Sequence, residues 1–90
     1  MLKNLEQLIK TIRDRQSSSP DHSYTNKLLN NKNLSVSKVK EEIEELIEAI
    51  EENSNKTHEA ADVIYHLMVY LEANNIKIED VMKELKKRQK

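Results

Sequence analysis

The stretch SVSKVKEEIEELIEAI, Ser35 to Ile50, decides the fold class. Val36, Val39, Ile43, Leu46, Ile47 and Ile50 recur three and four residues apart, the repeat of one face of an α-helix, with no glycine or proline to interrupt it. Ser35 precedes the stripe and is the expected N-cap. Glu41, Glu44 and Glu48 lie roughly opposite the apolar residues, as solvated acids do. Glu42 and Glu45 fall instead on the flank, beside small Ala49.

Beyond this helix, Asn53 to Lys56 read as a polar turn, and a further helix is predicted from about Thr57 to Asn74. Ala60, Ala61, Ile64, Leu67, Met68 and Leu71 fill one face, while Val63, Val69 and Tyr70 make the other side apolar too. Such a helix is expected to be buried nearly all round, with Glu59, Asp62 and His66 on a largely buried flank. Upstream, Asn30, Asn31 and Asn33 break the chain, Tyr24 to Leu29 suggest a short helical segment, and Gln16 to Ser23 collect the serines and the one proline of a loop. Leu2, Leu5, Leu8, Ile9 and Ile12 predict a first amphipathic helix from about Leu2 to Arg15, and Ile78, Val81, Met82 and Leu85 predict a last short one running into a basic end.

The expectation is an all-α fold, a helical hairpin protomer of four to five helices in a single domain spanning residues 1–90. Composition agrees. Charged residues are 34% and hydrophobic ones 37%, with no glycine, tryptophan or phenylalanine, which suits helices and poorly suits tight turns or an aromatic core. A helix apolar on two sides needs more cover than a few short helices supply, so a homodimer around a four-helix-bundle core is expected. The formal net charge of -1 argues against a nucleic-acid partner. Without cysteine there is no disulfide framework or thiolate metal site. Neither a secretory signal nor a membrane-length apolar run is visible, so the chain reads as soluble and cytoplasmic, with no membrane partner.

Two acidic pairs carry the chemistry. Glu42 with Glu45, and Glu59 with Asp62, are each spaced three residues apart, so within a pair the side chains are rotated by only about 60° and can converge on one point. The short turn makes their helices antiparallel neighbours. Four clustered carboxylates repel one another, and a hard divalent cation such as Mg2+ relieves the repulsion. A cation held in this way commonly handles phosphate. The alternative for any one acidic pair is a solvated helix face. His66 reads as a hydrogen-bonded core residue, His58 as a partly exposed residue at the helix start, and His22 as a loop residue. Lys27 and Lys38 can reach phosphate oxygens or remain solvated.

Glu41-Glu42-Ile43-Glu44-Glu45 and, after thirteen intervening residues, Glu59-Ala60-Ala61-Asp62 resemble the signature of the all-helical MazG-type nucleotide pyrophosphohydrolases. Ser23-Tyr24-Thr25, Lys27-Leu28-Leu29, Lys38-Val39, Tyr65-His66-Leu67 and Ile78-Glu79-Asp80-Val81 extend the similarity over almost the whole chain, toward the phosphoribosyl-ATP pyrophosphohydrolases. His22 and Lys40 stand where that family often has glycine. The resemblance implies a magnesium site at Glu42, Glu45, Glu59 and Asp62, catalytic involvement of Glu41, Glu42 and Glu45, and phosphate or phosphoribosyl contacts from Ser23, Thr25, Lys27 and Lys38. For Glu41 it leaves open orienting a ligand, contacting a partner subunit, acting as base, or facing solvent. The implied substrate is phosphoribosyl-ATP and the implied partner a second copy. A house-cleaning triphosphatase with the same metal site and a non-catalytic helical module are the alternatives.

Overall fold

The computed structural model describes residues 2–89, and within them every regular element is helical. Helix α1 spans Lys3–Asp14 and runs into a 3-10 turn at Arg15–Ser17. Then come α2 (Tyr24–Leu29), α3 (Lys32–Glu52), α4 (Lys56–Ala73) and α5 (Ile78–Arg88). The all-α hairpin expectation holds, and α3 and α4 pack antiparallel along their length.

Side-chain capping sets where α2 and α3 begin. The Ser23 hydroxyl accepts the Asn26 amide at 3.1 Å, and the Asn31 side chain accepts the Leu34 amide at 3.0 Å. Ser35 is therefore not the N-cap of α3. The helix starts three residues before it because Asn31, read from sequence as a breaker, is a strong cap, and Ser35 is buried inside the first turns. Without glycine, the left-handed positions that end helices fall to asparagine, whose short polar side chain tolerates them. Asn53 and Asn55 have φ of 54° and 50° in the α3–α4 turn, and Asn75 has 59° after α4. Both helices close with the same reach-back bond, Ser54 N–H to the Ala49 carbonyl at 3.0 Å and Ile76 N–H to the Leu71 carbonyl at 2.9 Å.

The core is built by α1, α2 and α4: Ile9, Ile12, Leu28, Met68 and Val69 are buried together. Asn26, 1% exposed, sits among them and donates to the Arg15 and Gln16 carbonyls at 2.7 and 3.3 Å, tying α2 to the turn after α1. A buried amide needs such partners, since leaving one unpaired costs ~1–3 kcal/mol.

The apolar stripe of α3 does not face this core. Ser35, Val39 and Ala49 are buried and Glu42 and Leu46 half-buried, the spacing of one inner seam. Ile43, Ile47 and Ile50 are 42%, 51% and 57% exposed on an outer face, joined by Ile64 and Leu67 of α4. The expected near-complete burial of α4 is likewise not met within one protomer. The reason is geometric: the packed seam is centred about 70° round α3 from the apolar stripe, toward Ser35, Glu42 and Ala49, so only Val39 and Leu46 belong to both.

Helix α5 has no buried residue and touches the core through Ile78. An apolar groove of about 760 Å³, lined by Leu2, Leu5, Ile9, Ile78 and Met82 among others, separates it from α1. An ion cluster bridges the two. Arg13 Nε and Nη2 donate to both oxygens of Glu72 at 3.2 and 3.1 Å, while Nη1 and Nη2 donate to Glu79 at 2.8 and 2.7 Å. The Arg13 hydrogen bonds hold the Glu79 carboxyl down at about 2. A carboxyl depressed in the folded state stabilises above its ordinary range, and the effect is lost as pH falls through that range toward the folded value. Thermal melts by circular dichroism should therefore show acid destabilisation between pH 4.5 and 2 that is shallower in Arg13→Met, with a smaller difference in high salt because Glu79 is exposed.

Candidate metal and phosphate site

Placement on the α3–α4 seam brings the acidic pairs together. Single carboxylate oxygens of Glu42, Glu45 and Glu59 lie within 4.8 Å of one another. A second group with the same limit shares Glu59 and adds Asp62 and a ring nitrogen of His58. Glu59 thus belongs to both groups, and all four expected ligands stand in one continuous cluster.

Its electrostatics are those of a site short of positive charge. Burial pushes the Glu42 carboxyl above its ordinary range, and the neighbouring Glu45 and Asp62 push in the same direction against a smaller opposing effect from His66. Burial also raises Glu59, reinforced by Glu45 and Asp62 and opposed by His58. Glu42 Oε2 and Glu59 Oε2 are buried oxygens with no hydrogen-bond partner in the protein. Lone pairs removed from water and left unpaired are costly, and convergent hard oxygens at this spacing suit a hard divalent cation.

The other residues singled out from sequence divide. Glu41 stays outside both groups, exposed on α3, where its Oε2 accepts from Lys38 Nζ at 3.2 Å. The Ser23 hydroxyl caps α2, and Thr25 Oγ1 is hydrogen-bonded to the Tyr65 hydroxyl. Lys27 is exposed in the last turn of α2. His66 is the buried, hydrogen-bonded core residue expected, its Nδ1 2.9 Å from the Asp62 carbonyl.

His58 is the group that sequence reasoning passed over. Its Nε2 lies 3.4 Å from Asp62 Oδ2. Compared with adjacent Glu59, its ring points away by about 100°, but four residues on, Asp62 shares its helix face. That spacing was the available signal.

A family model described as phosphoribosyl-ATP pyrophosphohydrolase matches residues 5–89. The chain belongs to that family. Among its relatives, the phosphoribosyl-ATP pyrophosphatase of Rhodopirellula baltica is 38% identical over 91 residues, covering 94% of this chain and 76% of that protein. The protein of the same name from Haloarcula marismortui is 36% identical over 89 residues, 93% of this chain and 91% of its own. A bifunctional histidine-biosynthesis protein of Arabidopsis thaliana is 40% identical over 93 residues, 97% of this chain but 33% of its own length. The family's match takes in all of α2 to α5 and α1 from Leu5 on, and both acidic pairs lie inside it.

Crowded charges without a cation destabilise the fold, so removing one should help until a cation is added. In EDTA, Glu59→Gln is expected to melt above the unaltered chain. With magnesium at about a hundred times its dissociation constant, which stabilises a binding-competent fold by about 2.7 kcal/mol, the order should reverse. Calorimetry at matched ionic strength reads both.

Proposed function

We propose that this member of the phosphoribosyl-ATP pyrophosphohydrolase family hydrolyses phosphoribosyl-ATP between its α and β phosphates, yielding phosphoribosyl-AMP and pyrophosphate in the second step of histidine biosynthesis. The convergence of Glu42, Glu45 and Glu59 with two unpaired buried oxygens, inside the stretch that matches the family, carries the reading. Glu42, Glu45, Glu59 and Asp62 would hold magnesium. When bound there it neutralises charge on phosphate oxygens and acidifies a water.

The protein's own groups supply the rest. The upward push on the Glu42 carboxyl comes from burial and from Glu45 beside it in the metal-free cluster, and a bound cation would relieve it, so Glu42 and Glu45 serve as ligands and the proton of the attacking water passes to solvent. Glu41 fixes the Lys38 ammonium at 3.2 Å and so acts as a positioning residue for a positive charge offered to phosphate. The Ser23 hydroxyl, whose oxygen already accepts from the Asn26 amide, retains a proton to donate to a phosphate or ribose oxygen. Thr25, one residue inside α2, and Lys27, one turn on from Ser23, complete the polar lining from this helix. As water adds to phosphorus, the phosphoanhydride bond breaks and pyrophosphate leaves with the bond electrons.

A homodimer is part of the proposal. Ile43, Ile47 and Ile50 of α3 with Ile64 and Leu67 of α4 present an open apolar face on the hairpin. Two such faces in contact make a four-helix bundle, and burial of isoleucine side chains contributes ~1.5–3 kcal/mol each. Among the described residues no helix is long and apolar enough to cross a membrane. A cytoplasmic location is proposed from the chemistry, since phosphorylated pathway intermediates do not cross bilayers unaided.

Two measurements test this reading. Pyrophosphate release should depend on magnesium, favour phosphoribosyl-ATP over ordinary nucleoside triphosphates, and fall by at least about 100-fold in Asp62→Asn with helicity unchanged. Equal turnover of ordinary triphosphates would place the chain with the house-cleaning enzymes instead. In sedimentation at micromolar concentration the unaltered chain should be a dimer and Ile47→Glu a monomer with a lower melting temperature.

A further inference from the structure

Tyr24 lies where α2 meets the acidic cluster, and the reaction described above makes no use of it. It is the first residue of α2 and is 47% exposed, although the chain has only three aromatic side chains. Its ring is nevertheless held in place. The Tyr24 hydroxyl lies 3.3 Å from His66 Nε2, and His66 Nδ1 lies 2.9 Å from the Asp62 carbonyl oxygen. A carbonyl oxygen can only accept, so Nδ1 carries a proton, and in the neutral imidazole Nε2 is then the acceptor and the Tyr24 hydroxyl donates. The relay therefore runs in one direction, from an exposed aromatic ring to the backbone of a residue in the cluster.

Neighbouring rings complete the support. His66 is buried and stands edge-on to both tyrosines, at 75° to Tyr24 and 87° to Tyr65, with centroids 6.0 and 4.9 Å away. Tyr65 is in turn tied to Thr25. The Tyr24 and Tyr65 rings lie within 19° of parallel with centroids 6.5 Å apart. At that separation the pair is an offset stack in which Tyr65 overlaps only part of the Tyr24 ring, and Tyr24 keeps 47% of its surface open. Lys38, Glu41 and Glu42 act electrostatically on the Tyr24 hydroxyl, which places the ring within charge range of the site. A flat apolar face, locked in orientation and open beside a phosphate site, is a platform already organised for a planar ring.

We propose that the exposed face of Tyr24 is the stacking surface for the purine base of the nucleotide whose phosphates occupy the acidic cluster, with His66 as the positioning residue that holds it. This rests on the phosphate-handling reading above and adds to it the group that recognises the base. Stacking is tolerant of which purine is bound, so Tyr24 supplies affinity for a nucleotide over a bare polyphosphate.

The test uses the full chain with magnesium, phosphoribosyl-ATP as substrate and inorganic tripolyphosphate as a base-free competitor. Tyr24→Leu should raise KM for phosphoribosyl-ATP about tenfold, with kcat changed far less and Ki for tripolyphosphate unchanged. Tyr24→Phe keeps the ring and should lose much less. His66→Leu should raise KM in the same direction as Tyr24→Leu, again without moving Ki. Because the chain has no tryptophan, Tyr24→Trp adds a single indole fluorophore. AMP should quench it and ribose 5-phosphate should not. A KM unchanged in Tyr24→Leu, a Ki that moves in parallel with it, a loss of dimer in sedimentation, or equal quenching by both probes each overturns the proposal. If the unaltered chain releases no pyrophosphate but Tyr24→Trp is quenched by AMP alone, the reaction falls and the stacking surface stands.

Discussion

Carboxylates on the inner seam of a helical hairpin impose the constraint around which this protein is organised. Glu42 occupies a position on α3 that by spacing belongs to the packed face, between Val39 and Leu46. Glu59 and Asp62 answer it from α4. Buried acids of one sign raise each other's pKa and leave lone pairs unpaired, a cost a small domain tolerates only where a cation or a substrate compensates it. The four acids can meet only if the hairpin register is held, and that register depends on a turn whose two left-handed residues are both asparagine.

The remaining elements hold substrate-facing groups against that seam. Asn26 anchors α2 to the turn after α1, and Ser23 caps it, so the helix carrying Thr25 and Lys27 is fixed at both its buried and its exposed sides. His66 links the layers: one nitrogen reaches the Asp62 backbone and the other the Tyr24 hydroxyl. The buried histidine is thus a strut between the acid-bearing helix and the helix expected to meet the nucleotide. Helix α5, held by Ile78 and the Arg13 ion cluster, is the least embedded of the five.

Much of this was legible in residue order because helices declare themselves by period. The boundaries of α2 and α4 fall within about a residue of those read from apolar spacing, and the i,i+3 acidic pairs do lie where their angle on the helix puts them. The misreadings share a cause. Ser35 looked like a cap because it preceded the stripe, but a cap is defined by a bonded amide, and Asn31 makes that bond. The apolar period of α3 shows which side of the helix is greasy and says nothing of what lies opposite, and the structure leaves Ile43, Ile47 and Ile50 open. His58 reads from residue order as a partly exposed group at the helix start, while its partner Asp62 stands one turn away.

By itself the sequence determined the helical class, the two acidic pairs and the resemblance that names a phosphoribosyl-nucleotide chemistry, since all three depend on local period and ordered motifs. Only the tertiary structure decided which face of α3 meets α4, that Glu59 is shared by both ligand groups, and that Tyr24 stands locked and open beside them. Those outcomes depend on which surfaces approach one another across the chain. Distances between residues far apart in sequence are not encoded in the spacing within any one helix.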